Sequence, residues 1–516
     1  MLMNKLSRRG FVQVLTATAA VSALPSWVVA STKVPAKWDE AVDVVIIGSG
    51  FAGLAAAYEA KKAGATVALL EKMRVAGGNS AINGGILAVP GSPLQKKLGI
   101  KDSPELMAKD MIKAGDAMNH PDKVKALCEA AVETYRWTVD ELGVKYQDKN
   151  IKQEGGHTVP RSLFTINGSG SEIVNKELAA LEKLGVKPRL RTLMEEIIVN
   201  DEGRVVGVKI REGYRFPNKD SGKVKYLAAK RAVVLCYGGF SADAQFRQIY
   251  DPKLTNKFDT TNQPGATSEG WRAAMAIGAH VIQADQIQIL PQTSPDEKGF
   301  GIGFAWSGHV SMFGVWVDAT TGKRFVNELA NRKVRSLAIL ERLNQGHDCL
   351  AIGDAGTAAS FEEIRPGMLK RQLERGVVFE FKTLEDLAKK FNIPVEALKQ
   401  TIAEANKAVD TKKDPIGRPV NAKAKKLENG PWYVARMSPK IHHCMGGLYT
   451  NEKAQVYHVQ GHLIPGLYAA GEATGAACTV LCVWVPAVRP TRLSTVELPV
   501  SRQPHRNPGC NCLIAA

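Results

Sequence analysis

The chain has 516 residues, 45% of them hydrophobic and 23% charged, which is room for two or more domains around a large core. Its net charge of +17 comes from lysines and arginines spread along the chain with no basic–aromatic cluster, which argues against nucleic acid as a partner. What remains is a solvated basic surface or a field that steers anions.

At the N-terminus, Ser7-Arg8-Arg9-Gly10-Phe11-Val12 precedes an apolar run from Val14 to Ala23, and Val28-Val29-Ala30 places small residues at cleavage-type positions. A basic start, a short apolar stretch and an A-x-A-like end predict a signal peptide over residues 1–30, because a membrane span needs roughly 20 apolar residues. The arginine pair resembles a twin-arginine signal, which exports proteins already folded around a cofactor to the periplasm. Two chance arginines in an ordinary secretory signal are the alternative. No other apolar run is long enough to span a bilayer. Cysteines usually pair in an oxidising compartment, yet Cys128, Cys236, Cys349 and Cys444 stand singly in apolar or motif surroundings and read as small buried residues. No C-x-x-C-H occurs, so the chain carries no c-type haem, and any electrons it uses come from another molecule.

Asp43-Val44-Val45-Ile46-Ile47 predicts a buried strand running into Gly48-Ser49-Gly50-Phe51-Ala52-Gly53. An alanine-rich helix over 54–63, a Gly64-Ala65 turn and a second strand over 66–70 follow, ending at Glu71. This is a βαβ unit with G-x-G-x-x-G at the strand-to-helix turn. The glycines let backbone approach a pyrophosphate, the helix N-terminus supplies N–H groups, and Glu71 can accept from ribose hydroxyls. An NAD enzyme would normally run directly into its next strand after Glu71. Here Lys72 leads instead to Gly77-Gly78-Asn79-Ser80 and Asn83-Gly84-Gly85, which can wrap backbone amides around the far end of a dinucleotide. Two further strands end in glycine turns, over 233–240 and 465–472. Strands returning to one nucleotide from remote parts of the chain suit a flavoprotein with FAD.

E-K-x-x-x-x-G-G-N-S from Glu71, V-V-L-x-x-G-G-F from Val233 and G-L-Y-A-A-G-E-x-T-G from Gly466 resemble the fumarate reductase and succinate dehydrogenase flavoprotein superfamily. The nearest type is the soluble periplasmic flavocytochrome c fumarate reductases. The resemblance runs from about Asp43 to Gly475. It implies an α/β fold, a Rossmann-like FAD-binding domain (40–286 and 444–475) with an inserted α+β capping domain (287–443). It also implies non-covalent FAD held at Gly48, Gly50, Gly53, Glu71, Lys72, Asn79, Ser80, Gly84, Gly85, Glu269, His443 and Glu472. Within the cap, Ile393-Pro394 predicts a helix start with apolar spacing to Ala408.

Thr321-Gly322-Lys323-Arg324-Phe325-Val326-Asn327-Glu328, followed by Arg332, resembles the family's G-x-R-F-x-N-E-x-x-x-R, whose last arginine gives a proton to the substrate. An arginine is an unusual acid, with a pKa above about 12, and serves only when held against a forming carbanion. A helix-surface charge is the plain alternative for Arg332, and Arg335 could hold a salt bridge. Ile441-His442-His443-Cys444-Met445-Gly446-Gly447 resembles the H-x-x-M-G-G turn, in which His442 matches the substrate-carboxylate histidine. The catalytic set is therefore Arg332, His442 and Glu328, with no metal. His443 is expected to meet the flavin through its backbone.

The sequence departs from the fumarate reductases at Gln288-Ile289-Leu290-Pro291-Gln292, where they place a carboxylate-binding histidine, and at Phe304-Ala305-Trp306-Ser307-Gly308-His309, where their proton relay lies. These changes leave one pocket end less polar, with Leu290 and Trp306 available to line it and His309 a conceivable relay substitute. A dicarboxylate would bury one charge without its partner there, at a cost of several kcal/mol. The expected substrate is a small molecule with an activated double bond and one carboxylate or carbonyl, reduced with electrons from a separate c-type cytochrome or another periplasmic donor. Fumarate reduction proper, a catalytically silent flavin-binding remnant and a ketosteroid-type dehydrogenase or oxidase are the competing readings.

After Gly475 the chain loses helical and strand periodicity and gains four cysteines. Read one nucleotide out of register, residues 475–486 admit G-G-V-H-G-A-V-R-L-G-S, and 494–501 admit Y-G-R-I-A-G-Q. Both resemble the family's continuation, whose arginine binds the substrate carboxylate and whose helix faces the flavin. Residues 476–516 are therefore expected to be a frameshifted tail, with weakened FAD retention and little or no reductase activity in this exact polypeptide. The nucleotide sequence across codons 470–516 tests this.

Overall fold

The computed structural model describes residues 33–153, 156–420 and 424–475. The signal-peptide expectation over 1–30 and the frameshift expectation over 476–516 fall outside them.

The strand–glycine–helix unit forms where the sequence places it. Strand Glu40–Ile47 leads through the glycine turn into helix Phe51–Lys62, and the chain returns in strand Val67–Leu70. The two strands pair in parallel, Val44 opposite Val67. The other edge of Glu40–Ile47 pairs in parallel with the 13-residue strand Lys223–Leu235, Ile47 opposite Leu235. That long strand divides its far edge between two neighbours. Its first half takes the antiparallel strand Val205–Glu212, and its last three residues take Leu463–Ala469 in parallel. Four strands thus end together at Ile47, Leu70, Leu235 and Ala469, and in open α/β sheets ligands bind outside such ends. β-Branched and leucine side chains bury both faces: Val45, Val233 and Leu467 pack on one side, and Ile46, Leu69 and Val234 pack with the alanines of helix Phe51–Lys62 on the other. That continuous burial is why these strands read as unbroken apolar runs.

The inserted region carries a five-stranded antiparallel sheet in the order Lys323–Arg324, Val315–Asp318, Cys349–Gly353, Trp432–Met437, Phe379–Phe381. Helix Val395–Thr411 begins directly after Pro394 and buries Leu398, Ile402, Ala405 and Ala408. The chain crosses into this region along strand Ile287–Leu290 and returns along Lys440–Cys444. These two strands pair with each other, Gln288 opposite His443. Cys128, Cys236, Cys349 and Cys444 are buried, and none of them forms a disulfide among the described residues. No helix among the described residues is long and apolar enough to cross a membrane.

Candidate functional site

A cavity of about 890 Å³ opens at the ends of the parallel strands and reaches the inserted region. Its nucleotide end is built by the glycine turn. Gly48 has φ +100°, and a Cβ there would lie 2.3 Å from the Cys236 carbonyl oxygen, so only glycine lets the turn sit this close to the neighbouring strand end. A Cβ on Gly53 would lie 1.9 Å from Gly48 O, so Gly53 sets helix-to-turn packing and does not itself line the cavity. Helix Phe51–Lys62 starts at Gly50 without a side-chain cap, leaving a helix N-terminus of the kind that receives phosphate.

Glu71 ends its strand buried, accepting from Ser49 Oγ (2.6 Å), Ser49 N (3.1 Å) and Met73 N (2.8 Å). A carboxylate has about four lone-pair directions, so these bonds orient it and leave acceptor capacity for ribose. Lys72 Nζ meets Glu269 Oε2 at 3.0 Å at the start of helix Glu269–Ala276. Burial works against the charge on Glu269, but Lys72 and the Thr267 hydroxyl hold its carboxyl below the usual range.

Beyond the turn, Asn79, Ser80 and Gly84 line the cavity. Asn79 bridges to the stretch Thr261-Asn262-Gln263: its amide nitrogen donates to Asn262 Oδ1, and its Oδ1 accepts from Gln263 N (2.9 Å). Ser80 Oγ accepts from Phe51 N at 3.1 Å. Gly85 lies just behind, with φ +60° and no room for a Cβ beside Thr165 and Ser169. Glu472, on the turn after strand Leu463–Ala469, joins His443 Nδ1 (3.0 Å) and Cys444 N (3.0 Å) through its Oε1. Despite burial, the His443 contact holds the Glu472 carboxyl low. The imidazole of His443, and not only its backbone, is therefore part of this wall.

Arg332 is the first residue of helix Arg332–Asn344, whose N-cap Asn331 accepts from Val334 N. Its Nη1 donates to Gln288 Oε1 at 2.6 Å. Gln288 belongs to the crossing strand, two residues before Leu290, which stands where the fumarate reductases place a carboxylate-binding histidine ahead of the proline, and Gln288 aims the arginine. His442, on the return strand, lines the same cavity. Its Nδ1 lies 2.6 Å from Thr261 Oγ1, and Asn262 Nδ2 donates to its carbonyl at 2.7 Å. Burial, together with the charges of Arg332 and His443, pushes its pKa down to about 3, so it is a neutral hydrogen-bonding group. Leu290, Gln292, Phe300, Phe304 and Arg365 complete this end. Phe300 and Phe304 meet edge-on at 4.5 Å, and Phe300 faces His442 at 6.0 Å.

Three expectations are corrected. Glu328 does not line the cavity. It is fully buried, with its carboxylate taken by Arg324 (2.6 and 2.7 Å), Trp316 N (3.2 Å) and Arg418 (3.7 Å), so it fixes the turn that delivers Arg332. Trp306 is wholly buried, donating to Ala351 O and packing on Phe361. His309 is held by Ser360 Oγ at 2.8 Å between Phe313 and Phe361, away from the cavity lining. Arg335 forms no salt bridge among the described residues. It stacks over Trp316 at 5.6 Å and donates to Glu328 O, and burial with the nearby Arg332 charge pulls it down to about 10. The stretch Thr261-Asn262-Gln263 escaped sequence reading because it has neither periodicity nor a motif. Its only local signal is a cluster of side chains that hydrogen-bond well.

A glycine turn that only glycine can make, a helix N-terminus whose N-cap is glycine, an oriented carboxylate and a long cavity reaching a second sheet fit a dinucleotide with an extended ring system, FAD. Together they define a flavin-dependent oxidoreductase. The sequence matches the FAD binding domain family over residues 43–480. It is 40% identical to the acrylate reductase flavoprotein subunit of Shewanella woodyi over 476 residues, 91% of this chain and 93% of that one. It is 33% identical to a urocanate reductase of Eggerthella lenta, covering 84% of this chain and 70% of that one. The fold superposes on the open conformation of a flavocytochrome c3 fumarate reductase with a TM-score of 0.73 and 26% identity, over 96% of this chain and 79% of that one. The chain belongs to the FAD-dependent fumarate reductase/succinate dehydrogenase flavoprotein superfamily.

Proposed function

We propose that the protein reduces the activated carbon–carbon double bond of a small unsaturated carboxylate in the periplasm, exported by the twin-arginine route. The observation that carries this reading is Arg332, aimed into the cavity by the 2.6 Å bond it donates to Gln288 Oε1 and set beside a neutral His442. FAD, when bound, supplies the hydride. The protein's own groups do the rest. Arg332 gives its proton to the substrate carbon adjacent to the one that receives hydride, where negative charge develops. His442 donates to the substrate's carbonyl or carboxyl oxygen from Nε2, its Nδ1 being turned to Thr261. Glu71, Lys72, Asn79, Ser80, Glu269, His443 and Glu472 hold the cofactor, the glycines Gly48, Gly50 and Gly84 give it room, and Gly53 and Gly85 pack the turns behind them. The aromatic pair Phe300–Phe304 keeps water from the reacting carbons.

Leu290 at the far wall supports a monocarboxylate over fumarate, since a second carboxylate there would meet an alkyl group. The named activities of the acrylate and urocanate reductases point the same way. With no C-x-x-C-H in the chain, electrons come from a separate c-type cytochrome or other periplasmic donor. The test is oxidation of reduced methyl viologen by the FAD-loaded protein with acrylate, cinnamate, urocanate and fumarate. Faster oxidation with a monocarboxylate than with fumarate supports the reading. Dye that stays reduced with every acid leaves a flavin-binding remnant instead.

A further inference from the structure

We propose that Arg365 is the substrate's carboxylate receptor, a specificity-determining residue that none of the family motifs picks out. The inference rests on the monocarboxylate reading above. Such a substrate brings one negative charge into the cavity, and an anion taken out of water needs a cation with matching hydrogen bonds. Among the described residues, four side chains with lysine or arginine charge line the cavity: Lys72, Lys152, Arg332 and Arg365. Lys72 is paired with Glu269 at the nucleotide end. Lys152 lies over the Phe164 ring at 5.0 Å, on the flavin-domain strand Tyr146–Lys152. Arg332 is bonded to Gln288 and is reserved for proton delivery. His442 is neutral, and Gln288, Leu290 and Gln292 carry no charge. Among the described residues, only Arg365 remains on the capping side.

Its setting is built to present it. Helix Ala355–Ile364 packs through Phe361 on Trp306 and His309 of helix Phe304–Phe313, the helix whose first residue lines the cavity. Arg365 follows directly as the C-cap, with its N–H bonded to Phe361 O at 2.9 Å and its carbonyl accepting from Met368 N at 3.1 Å. Pro366 restricts it to the extended backbone it adopts, φ −136° and ψ 71°. The nearby Glu362 is not available to it. Both oxygens of that carboxylate are turned to backbone amides, Gly367 N and Leu369 N, each at 2.7 Å. No carboxylate pairs with the Arg365 guanidinium among the described residues, so its two-pronged face is free for an anion.

Binding of acrylate and cinnamate, and of their methyl esters, to the FAD-loaded chain is measured by calorimetry, which needs no turnover. Arg365→Met is expected to weaken both acids by about 10- to 100-fold and leave both esters within about twofold, with Arg365→Lys recovering part of the loss. FAD content and visible spectrum should not change. Acids that bind R365M as they bind wild type overturn the proposal. So does an equal loss for acids and esters, which marks a packing role. If wild type binds the acids and R365M does not, yet no alkene oxidises reduced dye, the carboxylate receptor stands and the reductase reading fails.

Discussion

Replacing Arg332 with Gln removes both the proton and the charge at the one cation that Gln288 aims into the cavity, across a 2.6 Å bond. The shorter side chain keeps helical propensity and the Asn331 cap that starts the helix, so local structure should persist. Loss of a positioned general acid typically costs ~100- to 10,000-fold, or ~3–5 kcal/mol of barrier. Because the proton moves only in the transition state, kcat and kcat/KM should fall together, with KM nearly unchanged. Arg332→Lys keeps the charge but offers a compact ammonium instead of a planar fork, and should recover less than about a tenth of the rate. Gln288→Leu leaves the guanidinium in place without its guide, and should cost kcat about tenfold, the scale of one charged hydrogen bond. The assay is steady-state reoxidation of reduced viologen, with FAD content measured on the same samples. R332Q turning over within about fivefold of wild type would refute the assignment of the proton to Arg332.

Two further outcomes follow from groups near it. His442 is pushed down to about 3, whereas in the unfolded chain it titrates near ~6.5. Below about pH 6.5 the unfolded state binds a proton that the folded state refuses, so this stability is present above that pH and lost as pH falls towards 3, by ~1.4 kcal/mol per unit. His442→Gln should therefore lose less unfolding temperature than wild type between pH 7 and pH 5; a steeper loss would count against a neutral His442. Glu328→Gln removes one of the two carboxylates that Arg324 and Arg418 share, Asp414 being the other, and should destabilise by ~1–3 kcal/mol, read by chemical denaturation. A stable but inactive E328Q would return Glu328 to the proton pathway.

The nucleotide half was legible because its chemistry demands backbone features that sequence spells out. Gly48 and Gly53 are glycines because nothing larger fits, and Glu71 ends a strand whose apolar run is unbroken. The positions of Arg332 and His442 were legible through short spacings within one turn or strand. What the spacing could not reveal was the pairing of Gln288 with Arg332, 44 residues apart, or of Thr261 with His442, 181 apart. Those contacts exist only once the two crossing strands pair. Trp306 and His309 misled for a related reason. They lie on a helix that is apolar almost all round, so sequence alone did not say which face met the cavity and which met Phe361. Glu328 sat inside a motif, but its partner Arg418 is remote, and burial between two arginines turned an apparent reactive acid into a clamp.

The two strands that join the inserted region to the flavin-binding sheet are zipped together, with Ile287 opposite Cys444 and Leu290 opposite Lys440. Two chain crossings hydrogen-bonded edge to edge form one ribbon, and a body carried on one such ribbon would flex mainly about a single axis. In any rocking body displacement vanishes at the axis and grows with distance from it. Gln288 and His442 are residues of the ribbon itself, and the Arg332 guanidinium is tied to it through Gln288. If the region rocks on this ribbon, Arg332 and His442 move together, and mutations that change access are expected to leave their spacing unchanged.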